Sequence, residues 1–278
     1  MSYTLVSFHA HPDDEVLLTG GTLARAAAEG HRVVLVVATR GESGLAAGRL
    51  TRDNRLGDHR EAELHRSAAE LGCARVVLLG YRDSGLTPGT STEKAFAQCD
   101  PEQAAAELAA ILTEEHADVL TVYDPAGGYG HPDHRQVHVV GVRAAELAGT
   151  PVVLEATLDR QLFLRLARLV SLIPGGLGAV RLADLGTAFT AREQITHRVD
   201  VRAQAGAKRR AMRAHASQAG SDAGPRTLSM LLRLPQPVFA RLLGREWFVE
   251  RGRNGIEPGG DIFATLRGPQ APSGGLRT

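Results

Sequence analysis

Arg32-Val-Val-Leu-Val-Val-Ala-Thr39 decides how the chain is read. It is a continuous, largely β-branched apolar run of strand length. Such runs belong to parallel strands buried on both faces, not to half-exposed antiparallel ones. Upstream, Val16 to Glu29 has helical spacing and stops at Gly30, a natural residue just past a helix end. Before that helix stands Leu5-Val-Ser-Phe8, which reads as the first strand. Strand, helix and buried strand in this order make a parallel crossover.

Downstream the alternation continues. Asp58 to Leu71 is helical and ends at Gly72, and Val76-Val-Leu-Leu79 is a short strand. Asp100-Pro-Glu-Gln103 carries a helix start, with Asp as N-cap, Pro first and Gln third. Val119 to Tyr123 is a strand, His131 to Ala148 a helix and Pro151 to Thr157 a strand. The pattern predicts an α/β, Rossmann-like doubly wound fold with a mostly parallel sheet. Residues 1–157 are expected to form the core, and 158–278 a smaller, irregular C-terminal extension that completes the pocket of one continuous domain.

In that extension, Gln161 to Val170 is apolar with two arginines and is expected to pack on its own core or form a lid. Gly175-Gly-Leu-Gly178 breaks it. Ile195 to Val201 reads as a strand and Arg202 to His215 as a basic helix. Its Lys208, Arg209, Arg210 and Arg213 are taken as a solvated face. Pro235 to Gly244 is a short helix, Glu246 to Glu250 a strand, and the last ~20 residues are expected to be frayed.

The chain has 278 residues, of which 43% are hydrophobic, enough for a sizeable core. Its net charge of +1 gives no global field toward nucleic acid or membrane. Cys73 and Cys99 are not in CxxC spacing, which suits a reducing compartment. No segment has ~18 uncharged apolar residues, so no membrane span is expected. A cytoplasmic protein follows from these features, and a homo-oligomer is compatible with them.

His9-Ala-His-Pro-Asp-Asp-Glu15 occupies the loop after the first strand. Adjacent carboxylates resist burial unless they are paired or bound to a cation. The motif returns after the fourth strand as Tyr129-Gly-His-Pro-Asp-His134, with His138 one turn on. Ligands in doubly wound folds sit at the C-terminal ends of strands, so the two loops can meet. A hydrolytic zinc site needs three protein ligands and an open position. Mixed imidazole and carboxylate suit zinc, iron or manganese better than calcium. A further carboxylate must act as general base, and spacing leaves open which of Asp13 and Asp14 binds the metal. His9 is expected to point into the sheet and His138 to be a partly buried helix histidine. His11, His131 and His134 are the residues that packing does not explain.

Ala10-His-Pro-Asp-Asp-Glu15 with His131-Pro-Asp-His134 resembles the zinc-dependent de-N-acetylases of the PIG-L/LmbE superfamily. Tyr123 to His134 looks most like the mycothiol-pathway deacetylases and amidases. Arg60-Glu-Ala-Glu63, Tyr81-Arg-Asp-Ser-Gly85 and Lys208…His215-Ala-Ser-Gln218 also look like family segments. The resemblance implies removal of an N-acetyl group from an N-acetylglucosaminyl-type, small-molecule amino-sugar substrate. It implies that His11, Asp14 and His134 bind Zn2+ (with Fe2+ or Mn2+ as alternatives) and that Asp13 is the general base. It implies that His131 stabilises the transition state or protonates the leaving amine, and that Tyr129 helps hold the oxyanion. Arg60 and Asp83 resemble residues that grip the sugar hydroxyls or an attached group. As an acid, His131 would need a pKa near working pH, to which Asp133 could raise it.

Three other readings compete. A dinucleotide-binding protein lacks its fingerprint, because no GxGxxG follows the first strand. A non-catalytic metal-binding α/β module has no use for the spare carboxylate Asp13 and for His131. An amidase cleaving a larger N-acyl group or a thiol conjugate differs only in substrate.

Overall fold

The structure is a computed structural model and describes residues 1–43, 56–85, 95–171, 188–221, 224–225, 227–256 and 260–268. Strands β1 (Thr4–His9), β2 (Arg32–Thr39), β3 (Arg75–Tyr81), β4 (Val119–Tyr123) and β5 (Val152–Thr157) are parallel. Two further strands, β6 (His197–Asp200) and β9 (Arg245–Glu250), complete a seven-stranded sheet in the order β3-β2-β1-β4-β5-β9-β6. β9 runs antiparallel to β5, and β6 antiparallel to β9. The remaining strands, β7 (Gly220–Ser221) and β8 (Gly224–Pro225), pair with each other. This is the doubly wound α/β sheet that the hydrophobic runs predict.

The helices divide between its two faces. They are α1 (Asp14–Leu18), α2 (Gly20–Ala28), α3 (Leu56–Leu71), α4 (Pro101–Glu114), α5 (Pro132–Ala148) and α6 (Arg160–Ser171), followed by α7 (Ala205–Ala214), α8 (Ala216–Ala219), α9 (Thr227–Leu232) and α10 (Gln236–Leu243). Successive strand residues point to opposite faces. Thus Leu5, Val33 and Val119 pack with Leu23 of α2, Met212 of α7 and Phe239 of α10. Their neighbours Val6, Val34 and Leu120 pack with Leu108 of α4 and Val137 and Val140 of α5. Every residue of β2 after Arg32 is buried, which is why its run is uninterrupted. β1 lies between β2 and β4, at the point where the strand order reverses. The loops after β1 and β4 therefore open into one crevice.

The predicted helix over 16–29 is two helices with a break at Thr19, whose φ is −130°. The break creates a second helix N-terminus with unpaired amides. Glu246 of β9 fills that need, accepting from Gly21 N at 2.8 Å and Thr22 N at 2.7 Å. Gly21 must be glycine, because a Cβ there would stand 2.4 Å from Cγ2 of Val201. The α4 start follows its sequence signal: Asp100 accepts from Glu102 N at 3.0 Å, with Pro101 at the first position.

The solvated reading of the basic helix fails at Lys208. Its side chain is 1% exposed, and Nζ donates to Glu246 Oε1 at 2.6 Å, Leu17 O at 3.0 Å and Leu243 O at 3.3 Å. A long apolar stem carries the ammonium to a buried carboxylate, which composition cannot reveal. Arg210 does face outward, pairing with Glu70 at 2.6 Å. Of the C-terminal residues expected to be frayed, 260–268 are described, and Ile262 and Phe263 pack into the core. Phe263 is 2% exposed and stacks on Tyr3 with centroids 5.1 Å apart. Residues 269–278, and the glycines at 175, 176 and 178, lie outside the described residues. The arginine-bearing segment is α6. It packs on its own chain, with Phe163 against Phe189 at 4.8 Å and Arg160 donating to Phe189 O at 2.6 Å. Among the described residues, no helix is long and apolar enough to cross a membrane.

Removing one partner of a buried ion pair strands the other charge. Lys208→Ala is therefore expected to lower the unfolding free energy by about 3–5 kcal/mol. Chemical denaturation of the variant against the parent protein measures this.

Candidate active site

The crevice holds both histidine motifs. After β1 the chain turns through Pro12 and Asp13 into α1, and Asp13 sits at φ 106°, ψ −20°. A non-glycine residue there is strained, by about 1–3 kcal/mol. The loop before α5 needs consecutive left-handed residues, supplied by Gly127 (φ 67°) and Gly128 (φ 65°). Asp124, 1% exposed, shapes that loop: it accepts from Gly128 N at 2.9 Å and from Thr157 Oγ1 at 2.5 Å. Phe189 N donates to Gly128 O at 3.0 Å, so the C-terminal part borders the loop that bears Tyr129.

His11, Asp14 and His134 come together. Asp14 Oδ2 lies 3.2 Å from His11 Nδ1 and 3.3 Å from His134 Nε2. Donors about 2.0–2.2 Å from a tetrahedral ion stand about 3.3–3.5 Å apart, and each of these two pairs has about that spacing. His134 Nε2 is buried, and despite its closeness to Asp14 it makes no hydrogen bond there. Such an atom fits a ligand aimed at a cation. The ring of His134 stacks on Tyr123, with centroids 4.2 Å apart and planes 6° apart. His131 joins His11 and His134 in a group whose ligand atoms all lie within 4.8 Å of one another. The cluster is able to bind a metal ion.

Around His11 the charge is strongly negative. Its Nε2 lies 3.1 Å from Asp133 Oδ2 and 3.3 Å from Asp83 Oδ1. Burial opposes charge on this imidazole, yet its hydrogen bonds to Asp133, Asp14 and Asp83 hold its pKa well above the usual value. Burial would likewise raise Asp14, but His134 and His11 bring it well below the carboxylate range. The positive charge at the centre of these carboxylates is the His11 imidazole itself, with Asp133 and Asp83 at Nε2 and Asp14 at Nδ1. Sequence reading missed Asp133 as a partner of His11, although the repeated His-Pro-Asp was the available signal. A carboxylate behind a metal-binding histidine fixes its tautomer and orientation.

Asp13 stands beside this cluster without joining it. Burial pushes its carboxyl up to about 6, against the pull of Arg60. Arg60 is 3% exposed, and its Nη2 reaches Asp13 Oδ1 at 3.2 Å and Pro12 O at 2.5 Å. Asp83 is 7% exposed and accepts from Gly85 N at 2.8 Å as well as facing His11. Tyr129 is the open member of the group, 56% exposed, with its ring centroid 5.2 Å from that of His134.

His131 is the N-cap of α5, and its Nδ1 accepts from Asp133 N at 3.2 Å. The upward influence expected of Asp133 does not prevail. Burial first, and then His11 and His134, lower His131 to about 4. Asp133 spends its Oδ2 on His11 and on Ser84 N, at 3.0 Å. His9 is not among the ligands. It is 1% exposed, and its Nε2 lies 2.8 Å from Ser7 Oγ and 3.1 Å from Thr19 Oγ1. Its Nδ1 lies 3.2 Å from Tyr123 Oη, so it supports the ring on which His134 stacks. His138 is half-buried, with Nδ1 3.0 Å from Tyr123 O.

A ligand that binds only the folded state stabilises it, by about 2.7 kcal/mol at a hundred times its Kd. Adding a divalent transition metal to metal-stripped protein should raise the melting temperature, and His134→Ala should abolish that rise. Thermal unfolding with and without the metal tests the cluster directly.

Comparison with known proteins bears on what this crevice does. The family model described as "PIG-L: GlcNAc-PI de-N-acetylase" matches residues 6–145. The 1D-myo-inositol 2-acetamido-2-deoxy-alpha-D-glucopyranoside deacetylase of Streptomyces griseus is 39% identical, over 97% of this chain and 90% of its own. Among solved structures, N,N'-diacetylchitobiose deacetylase from Pyrococcus horikoshii superposes with a TM-score of 0.60 at 19% identity, covering 90% of this chain and 84% of its own. GalB, the 4-carboxy-2-hydroxymuconate hydratase of Pseudomonas putida, shares the fold at a TM-score of 0.57 and 15% identity, covering 92% and 98%. A hydratase on the same fold means that architecture alone does not select the reaction.

Proposed function

The chain belongs to the PIG-L family of GlcNAc-PI de-N-acetylases, and from that premise we propose that it is a zinc-dependent deacetylase of an N-acetylglucosaminyl inositol. It is a hydrolase that removes the N-acetyl group from N-acetylglucosaminyl-type substrates. The inositol aglycone is inferred from the Streptomyces griseus relative, which is similar over nearly the whole chain. The observation that carries the chemistry is that Asp14 Oδ2 lies within 3.3 Å of both His11 Nδ1 and His134 Nε2, with a second carboxylate, Asp13, held beside it by Arg60.

A zinc-class ion held by His11, Asp14 and His134 would lower the pKa of a water and polarise the acetamide carbonyl. Asp13 takes the proton from the attacking water, since it stands beside the ligands without being one of them. Arg60 positions that carboxylate. Its burial and its contact with Asp13 favour this role over a direct grip on sugar hydroxyls. Tyr129 keeps its phenolic proton at neutral pH and donates a hydrogen bond to the developing oxyanion. His131 has its Nδ1 engaged as the N-cap acceptor, which favours a donating role for its other nitrogen in the transition state. Asp13 then returns its proton to the departing amine. The C–N bond breaks, water oxygen joins the acyl carbon, and acetate and the free amino sugar leave. Asp83 and Asp133 keep His11 oriented.

Release of the free amine is measured from N-acetylglucosaminyl inositol, N-acetylglucosamine, and glucosaminyl conjugates bearing larger acyl or thiol groups. The first is expected to be turned over fastest, and preference for a thiol conjugate would favour the amidase reading. Asp13→Asn should lose about 10²–10⁴-fold in kcat while keeping its metal. Tyr129→Phe should lose about 10²-fold or more in kcat, as removal of one oxyanion donor does elsewhere. Unchanged turnover in either variant removes that residue from the mechanism.

A further inference from the structure

Two features of the site are costly and share one carboxylate. Asp13 is held in a left-handed conformation at φ 106°. His215, at the C-terminal end of α7, is 0% exposed, and its Nδ1 has no hydrogen-bond partner among the described residues. A buried polar atom without a partner costs about 1–3 kcal/mol. Between them lies Glu15, also 0% exposed. Glu15 Oε2 accepts from the backbone N of Asp13 at 2.9 Å. Its Oε1 lies 2.6 Å from His215 Nε2 and accepts from Ser67 Oγ of α3, also at 2.6 Å.

A carboxylate this deep is usually replaceable by an apolar residue, unless its partners use it for geometry. Here each partner has a use. Ser67 and His215 fix Glu15 from two different helices, and Glu15 then holds the amide of the residue proposed as base. Further along the same turn, Glu63 of α3 accepts from Ser217 N at 2.8 Å and Ser217 Oγ at 2.6 Å. That second bond anchors the turn after His215 to α3, so the imidazole is held independently of the site. From the other side Arg60, also on α3, pins the Asp13 carboxylate and Pro12 O. The backbone and the side chain of Asp13 are thus clamped separately.

We infer that His215 is a positioning residue for the hydrolysis, acting through Glu15 to hold Asp13 in its strained conformation. Neither His215 nor Glu15 touches the reacting atoms. The inference rests on the reading of Asp13 as general base. It gives 158–278 a part in the chemistry, by way of a single hydrogen bond to a residue 200 positions earlier in the chain.

The test uses the full, metal-loaded protein and N-acetylglucosaminyl inositol. His215→Phe fills the space but removes the donor, and His215→Gln restores a donor near the position of Nε2. His215→Phe is expected to lower kcat about 10–100-fold, the range seen when groups supporting a site are removed. KM should stay within about threefold and metal content should not change. His215→Gln should return kcat to within about threefold of the parent. Adding His215→Phe to Asp13→Asn should cost nothing further, because the base it positions is already gone. Parent-like kcat in His215→Phe, alongside an inactive Asp13→Asn, overturns the inference and leaves the base assignment standing. Failure of His215→Gln to rescue, or a loss of kcat that only tracks lost metal, overturns it as well. An active Asp13→Asn overturns the base assignment, and the inference with it. Should His215→Phe not fold, His215→Leu, smaller and likewise without a donor to Glu15, carries the test: a lowered kcat at unchanged KM and metal content is expected, and a parent-like kcat overturns the inference.

Discussion

Four carboxylates are brought to one crevice, and the rest of the site is arranged around the cost of doing so. Asp14, Asp83 and Asp133 each reach His11 within 3.3 Å, and Asp13 adjoins them. Left alone, such groups would repel one another and take up protons. Here each is met by a specific counterpart. Arg60 faces Asp13, backbone amides of residues 84 and 85 face Asp133 and Asp83, and the histidines face the remainder. The polar network beneath, from Thr121 through Ser7 and His9 to Tyr123, supports the ring that His134 stacks on. The carboxylates are therefore divided between the two nitrogens of His11 and the guanidinium of Arg60.

Much of this is legible in the sequence because two different periodicities coincide with it. The β-branched run of β2 and the alternating helices establish a parallel sheet, and a parallel sheet puts the loops after β1 and β4 side by side. Once the loops are adjacent, the repeated His-Pro-Asp acquires a meaning that neither copy has alone. The partners of the ligands are another matter. That Asp133 faces His11, or that the imidazole of His131 caps α5, depends on rotamers that spacing does not determine. His131 illustrates the limit. Its neighbouring carboxylate invites the expectation of a raised pKa, but that carboxylate is engaged elsewhere, and burial with two other imidazoles decides the direction.

The C-terminal part was least readable, and for a related reason. Lys208 looks like one member of a basic surface, yet it closes a buried pair with Glu246 that also supplies the N-terminal amides of α2. The charge pattern of a helix cannot say which of its cations has a carboxylate waiting in another element. The same contact accounts for the helix break at Thr19: a second N-terminus is tolerated because an acceptor arrives from β9, more than two hundred residues later. The extension therefore works on the core through fixed polar contacts as much as through apolar packing.

The placement of the site across β1 and β4 has a further consequence, for how the chain acquires it. His11 and Asp133 are 122 residues apart in sequence. Their strands pair in the register Leu5↔Val119 and Val6↔Leu120. Nothing local brings these groups together, so the cluster does not exist in any fragment that ends before β4, nor in a chain whose central parallel pair has yet to form. Closing so long a loop costs conformational entropy before the contacts it permits are made. Asp13 and Asp14 are neighbours in the chain, but Asp83 and Asp133 reach His11 only across the assembled sheet. The full cluster of charge thus depends on the pairing of β1 with β4, and a change that weakens that pairing reaches the site without touching any of its side chains.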